Sequence, residues 1–123
     1  MAKSALLVKT SSLGDVIHAL PAVSDVRSMA ADLRVDWAVE EAYAAVPRLH
    51  AGVTAVITVA VRRWRRALWR GVVRSEIAAC VHNLRACRYD AIVDAQGLFK
   101  SALITLVARG PRYGFDIHSS REP

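Results

Sequence analysis

Lys9-Thr10-Ser11-Ser12-Leu13-Gly14-Asp15 gathers hydroxyls, a glycine and a carboxylate within a few residues. Such a set offers hydrogen bonds to a polar ligand, close approach of the backbone and a base within one helical turn. Asp15 also has a plainer reading, as an N-cap that accepts from backbone N–H groups two or three residues on. His18 falls on the same helical face as Asp15, either as its hydrogen-bond partner or as an ordinary boundary residue.

Arg62-Arg63-Trp64-Arg65-Arg66, continuing to Trp69, Arg70 and Arg74, is a second constellation. No carboxylate falls between Glu41 and Glu76, so this segment calls for an anionic partner. Arginine suits phosphate because its planar fork donates two parallel hydrogen bonds to one group. In a helix, Arg63, Arg66, Arg70 and Arg74 form one stripe and Trp64, Leu68 and Val72 another, with Gly71 interrupting the run. A solvated charged face and a grip on a nucleic-acid backbone are the competing readings. Neither zinc-finger spacing nor an RNA-binding aromatic motif accompanies the arginines.

A third constellation is Asp94-Ala95-Gln96-Gly97, with Lys100 one helical turn further. Gln96 suits a sugar hydroxyl and Gly97 admits close approach. The alternative is a helix cap at Asp94 and a solvated Lys100.

These residues need elements to hold them. Ala5 to Val8 reads as a buried strand leading through the hydroxyl loop into a helix from Val16, which Pro21 is expected to kink or end. Arg34 to Val39 and the β-branched run Val53 to Val59 read as strands, with a short helix from Glu40 to Leu49 broken at Pro47 between them. Ser75 to Ala86 has helical spacing, Ala91 to Val93 is a short strand, and Leu98 to Val107 is apolar enough for a buried helix with Gly110 suiting its C-cap. Arg112 to Phe115 closes the series as a fifth strand. This alternation predicts an α/β fold, a Rossmann-like mostly parallel sheet with helices on both faces. In such sheets ligands bind at the carboxyl ends of the strands, which puts the first and third constellations together if their strands are neighbours.

At 123 residues and 54% hydrophobic composition, the chain suits one domain spanning 1–123. The apolar runs are too short for a membrane span or a signal-peptide core, so a cytoplasmic location is expected. Cys80 and Cys87 lack metal or redox spacing, and two helical turns, roughly 10 Å, exceed disulfide reach. Both read as reduced thiols, Cys80 buried. The histidines are scattered, and no metal site is expected.

The stretch from Lys9 to Ala22 resembles the opening of the lipopolysaccharide heptosyltransferase I family, inverting family 9 glycosyltransferases of GT-B fold with two Rossmann-like domains. Asp36-Trp37-Ala38-Val39-Glu40-Glu41, Val61 to Arg66, Tyr89 to Ser101 and Ser120-Arg121-Glu122-Pro123 match in order. The resemblance implies transfer of heptose from ADP-heptose to a Kdo sugar of Kdo2-lipid A, in lipopolysaccharide core biosynthesis at the cytoplasmic face of the inner membrane. It assigns the base to Asp15 and acceptor contacts to Lys9, Thr10, Ser11, Ser12, Gly14, Arg62, Arg63, Arg65, Arg66, Gln96, Lys100 and Arg121. The partners it implies are Kdo2-lipid A, ADP-heptose and the anionic membrane surface, with no nucleic acid and no cofactor. The family binds its donor chiefly on a C-terminal domain, so this chain is expected to be the N-terminal acceptor-binding part, inactive alone, with an exposed apolar patch. A family 9 heptosyltransferase with another core acceptor, and a non-catalytic basic module binding nucleic acid or anionic membrane, are the alternative readings.

Overall fold

The computed structural model describes residues 3–29, 32–95 and 99–114. Five strands, β1 (Ser4–Val8), β2 (Arg34–Glu40), β3 (Ala55–Val59), β4 (Ala91–Asp94) and β5 (Arg112–Gly114), form one sheet in the order β3-β2-β1-β4-β5. Every pairing is parallel. The helices are α1 (Leu13–Met29), α2 (Ala45–Arg48), α3 (Val61–Arg65), α4 (Gly71–Arg85) and α5 (Phe99–Val107), with a 3-10 turn at Glu41–Tyr43.

Side chains alternate across the pleat, so each strand feeds two layers. On one face Leu6, Val8, Ala38, Ile57, Val59 and Ile92 pack with Cys80 and Leu84 of α4, and with Ile104 and Ala108 at α5. On the other, Val35, Trp37 and Val39 pack with Val16 and Val23 of α1 and with Ala44. The expected Rossmann-like sheet covered on both faces is borne out. Its interior strand β2 is buried from Val35 through Val39, as a strand covered on both faces must be.

Several expected boundaries move. α1 begins at Leu13 and continues through Pro21 to Met29, so proline does not end it. Pro21 has no N–H for the Ile17 carbonyl, but this turn is exposed and water can take the place of that bond. Pro47 does not break a helix either. It is the third residue of α2, in the first turn, where its missing N–H has no helical partner to lose. The single arginine helix is also corrected. α3 ends at Arg65 and α4 starts at Gly71, with Arg70 extended between them, so the run to Arg74 is not one helical stripe. Cys87 lies beyond α4 rather than on it, and both thiols are free. α5 is not buried all round: Leu103 and Leu106 are exposed beside Ile104 and Thr105, and Tyr113 of β5 is exposed too.

Gly110 is required by its surroundings. Its φ is +142°, and a Cβ there would stand 2.2 Å from the Tyr89 carbonyl oxygen. That close approach lets the Tyr89 N–H donate to the Arg109 carbonyl at 2.7 Å.

A polar group is buried at the opposite end of the sheet from the loops of interest. Asp36 accepts from the Tyr89 hydroxyl at 2.6 Å and from Arg34 Nε and Nη2 at 3.1 and 3.2 Å. Asp36 and Tyr89 are each 1% exposed. Burial and the Asp36 contact push the Tyr89 hydroxyl well above its ordinary pKa, and the Asp36 bond raises that of Arg34. No role for this trio was visible in the sequence.

Candidate active site

The strand order makes β1 the point where the connections change side: β2 lies on one flank and β4 on the other. In an open parallel sheet the crevice outside such a pair of carboxyl ends is where ligands bind. Val8 is in register with Asp94, and the Ala95 N–H donates to the Val8 carbonyl at 3.0 Å. The loop after β1 and the loop after β4 therefore lie side by side. Lys9 ties them together, its ammonium donating to the Ala95 carbonyl at 3.2 Å. Lys9 is only 6% exposed, so it supports the crevice wall more than it reaches into solvent.

The wall is anchored from below. Trp37, fully buried, donates its indole N–H to the Lys9 carbonyl at 3.0 Å, and the Lys9 N–H donates to the Ala38 carbonyl at 3.2 Å. Thr10 is buried as well, and its carbonyl accepts from the Glu40 N–H at 3.0 Å. These bonds extend the β1–β2 ladder past the last strand residues and fix where the hydroxyl loop departs.

The Ser12 carbonyl accepts the first helical bond of α1, from Val16 N–H at 2.9 Å. Ser12 is thus the cap residue and Asp15 the third residue of the helix, which overturns the N-cap reading of Asp15. The Ser12 hydroxyl donates to Asp15 Oδ2 at 3.3 Å, drawing the half-exposed carboxylate back over the helix N-terminus, where negative charge is favoured. A Cβ at Gly14 would meet nothing within 4 Å, so this glycine leaves open space over the first turn. His18 is exposed.

Parts of the first and second constellations share one cleft of about 570 Å³, and Asp15, on the first turn of α1, does not line it. Ser11 and Ser12 line it from the β1 loop, Glu40, Glu41 and Tyr43 from the end of β2, and Arg62, Arg63 and Arg66 from α3 and its end. Arg65 lies outside this cleft and joins Arg62 and Arg66 around an adjoining depression of about 350 Å³. Gln96, Gly97 and Arg121 lie outside the described residues, as does the side chain of Lys100.

The cleft arginines are not equivalent. Arg63 donates to Glu41 from Nε at 2.9 Å and from Nη2 at 3.1 Å, and to Glu76 from Nη2 at 2.5 Å. Trp64 Nε1 donates to the same Glu76 oxygen at 3.0 Å. The two carboxylates bounding the carboxylate-free stretch of sequence thus close onto Arg63. Arg63 is raised above its ordinary pKa by Glu41 first and Glu76 second, and Glu76 is lowered by Arg63 first and Trp64 second. Sequence reasoning grouped Arg63 with the anion ligands and gave Glu41 and Glu76 no role. The contacts span 22 and 13 residues, beyond the reach of a helical pattern.

Sheet order and cleft define a Rossmann-like α/β unit with an arginine-flanked cleft at the carboxyl ends of β1, β2 and β3. Comparison with known proteins makes this particular. The family model of glycosyltransferase family 9 (heptosyltransferase) matches residues 77–123. The chain is 48% identical over 119 residues to lipopolysaccharide heptosyltransferase 1 of Escherichia coli K12, covering 96% of this chain and 37% of that protein. It is equally similar, at 48% over 119 residues, to lipopolysaccharide heptosyltransferase 1 of Pseudomonas aeruginosa, covering 34% of it. The solved structure of E. coli heptosyltransferase WaaC with ADP superposes with a TM-score of 0.89 at 47% identity, over 98% of this chain and 38% of that one. The resemblance to heptosyltransferase I therefore holds over nearly the whole chain, which spans little more than a third of these relatives' length.

Proposed function

We propose that these residues are the N-terminal, acceptor-binding part of an inverting lipopolysaccharide heptosyltransferase. The enzyme transfers L-glycero-D-manno-heptose from ADP-heptose to a Kdo sugar of Kdo2-lipid A. The observation that supports this best is the single cleft joining the hydroxyl loop to Arg62 and Arg66, in a chain 48% identical to heptosyltransferase 1. Arg62 and Arg66 on its rim, beside Ser11 and Ser12, suit the carboxylate and phosphate groups of such a sugar.

In a single displacement the acceptor hydroxyl attacks the anomeric carbon as its bond to ADP breaks. Asp15 takes the hydroxyl proton late, orients the nucleophile and stabilises positive charge on the reacting sugar. Ser11, Ser12 and Gly14 shape the acceptor side, with buried Thr10 and Lys9 fixing the loop. Arg62, Arg65 and Arg66 anchor acceptor anions. Gln96, Lys100 and Arg121 carry their acceptor roles on resemblance alone. ADP-heptose is held chiefly by the part of the enzyme that corresponds to the relatives' remaining length. WaaC structures are described with ADP and with ADP-2-deoxy-2-fluoro heptose, which supports this donor. The lipid-borne acceptor places the enzyme at the cytoplasmic face of the inner membrane; no described helix is long and apolar enough to cross it.

The test is calorimetric titration of the chain with a deacylated Kdo2-lipid A analogue, with single-stranded DNA as competitor. Saturable binding that survives the competitor and weakens about tenfold in Arg62→Ala/Arg66→Ala is expected, from two exposed ion pairs worth about 0.7 kcal/mol each. Binding of DNA alone would overturn the reading. The 123-residue chain should show little turnover with ADP-heptose, and Asp15→Ala should leave acceptor affinity near wild type while abolishing the rate of the full-length enzyme.

A further inference from the structure

Arg65 to Val72 is an exposed stretch in which large apolar side chains alternate with arginines, outside the acceptor cleft except for its first turn. Trp69 is 75% exposed, Val72 56% and Leu68 55%. Arg65, Arg66, Arg70 and, on α4, Arg74 are exposed around them, and among the described residues no salt bridge engages any of the four. The stretch has defined backbone structure: Ala67 N–H donates to the Trp64 carbonyl at 3.1 Å, Arg70 N–H to Ala67 at 3.0 Å and Arg74 N–H to Arg70 at 3.2 Å. The carboxylates that bound this segment in sequence, Glu41 and Glu76, are already held by Arg63.

We propose that this α3–α4 junction is a membrane-docking surface, with Leu68, Trp69 and Val72 entering the interface of an anionic bilayer and Arg70 and Arg74 resting on its headgroups. Charge complementarity selects an anionic surface. The side-chain chemistry selects lipid over nucleic acid. A nucleic-acid strand uses the tryptophan as a stacking platform but has no use for exposed leucine and valine, whereas a bilayer interface accepts all three. Leu68 also opens onto an apolar groove of about 240 Å³ floored by Val81 and Leu84, so the apolar surface has depth as well as a tip. Arg66 lines the acceptor cleft and follows Arg65 directly, so docking here brings the cleft mouth to the lipid surface. The proposal rests on the lipid-borne acceptor for its purpose, but its physical basis is this surface alone.

The test is sedimentation of the 123-residue chain with vesicles of phosphatidylcholine alone or mixed with phosphatidylglycerol, with no acceptor present. Preferential binding to the mixed vesicles is expected, with a blue shift of tryptophan emission that disappears in Trp69→Phe. Arg70→Ala/Arg74→Ala should lower partitioning roughly 25-fold, about fivefold per arginine. Trp69→Ala/Leu68→Ser should lower it about tenfold or more while leaving the salt dependence in place. Equal binding to both vesicle types, no loss in either double variant, or full displacement by DNA would overturn the proposal. Because acceptor affinity is measured with a deacylated analogue free of vesicles, failure here leaves the acceptor-binding reading standing, and the reverse.

Discussion

Replacing Tyr89 by phenylalanine tests whether the buried trio holds the sheet together. The hydroxyl is 2.6 Å from Asp36 Oδ2, and its loss leaves that buried carboxylate with the two Arg34 bonds alone, at 3.1 and 3.2 Å. A hydrogen bond to a charged group is worth about 1.5–3 kcal/mol, a sizeable share of a typical domain's stability of about 5–15 kcal/mol. Urea denaturation at neutral pH should therefore show Tyr89→Phe less stable by that amount. A pH series adds a second, independent signature. Burial and Asp36 raise the Tyr89 pKa above its ordinary 10.0, so above pH 10 the unfolded chain loses this proton before the folded one. Wild-type stability attributable to Tyr89 is complete below pH 10 and falls as pH rises beyond it, by up to about 1.4 kcal/mol per pH unit. The variant has no such group, so the gap between the two proteins should narrow above pH 10. Burial also raises Cys80 from 9.0, giving a loss of the same sign from about pH 9, but it is common to both proteins and cancels in the difference. A variant as stable as wild type at pH 7, or a gap that stays constant to pH 11, would refute the reasoning.

Two further perturbations address other parts of the fold. In Glu41→Gln/Glu76→Gln the bonds holding Arg63 are weakened; if Arg63 positions α3, affinity for the deacylated acceptor analogue falls by roughly two- to fivefold. If instead Arg63 is itself a ligand, releasing it and removing negative charge tightens binding, so calorimetry reads the answer from the sign. Gly110→Ala combines φ +142° with a Cβ 2.2 Å from a backbone oxygen and should cost about 2–4 kcal/mol; a melting temperature within a degree of wild type would show that the α5–β5 connection yields easily.

What the sequence made legible were the elements whose signal is local. The run Ala5 to Val8, the β-branched stretch ending at Val59 and the helical spacing after Ser75 each carry their pattern within a few residues, and strand-helix alternation then specified a parallel sheet covered on both faces. The adjacency of β1 and β4, which brings the Thr10 to Asp15 loop beside Asp94, could be stated only as a condition, since strand order is a long-range property. Arginines recurring every three or four residues suggested one helix through Gly71, yet the chain turns at Arg66 to Arg70 and restarts. Periodicity there came from two short segments laid end to end, and a stripe drawn across both has no physical counterpart. The missed pairings are long-range too: Tyr89 and Asp36 are 53 residues apart.

The dipeptide Asp36-Trp37 shows why such residues resist a hydropathy reading and still belong in a central strand. Successive side chains of β2 point to opposite faces, so Asp36 faces the α4–α5 layer, where Tyr89 and Arg34 satisfy it, and Trp37 faces α1. A carboxylate in an interior strand is costly unless it is paired and hydrogen-bonded, and Asp36 has three donors. An indole N–H in a core likewise needs an acceptor, and the Lys9 carbonyl supplies it at the point where β1 turns into the hydroxyl loop. Neighbouring residues in one strand thus secure the amino-terminal end of the sheet on one face and the floor of the candidate active site on the other. Replacing Trp37 by phenylalanine separates packing from this bond: it keeps most of the buried surface but leaves the Lys9 carbonyl without its indole donor. The expected result is a loss of about 1–3 kcal/mol in stability together with weaker binding of the acceptor analogue. Stability lost with unchanged affinity would show that the floor bond does not set the loop.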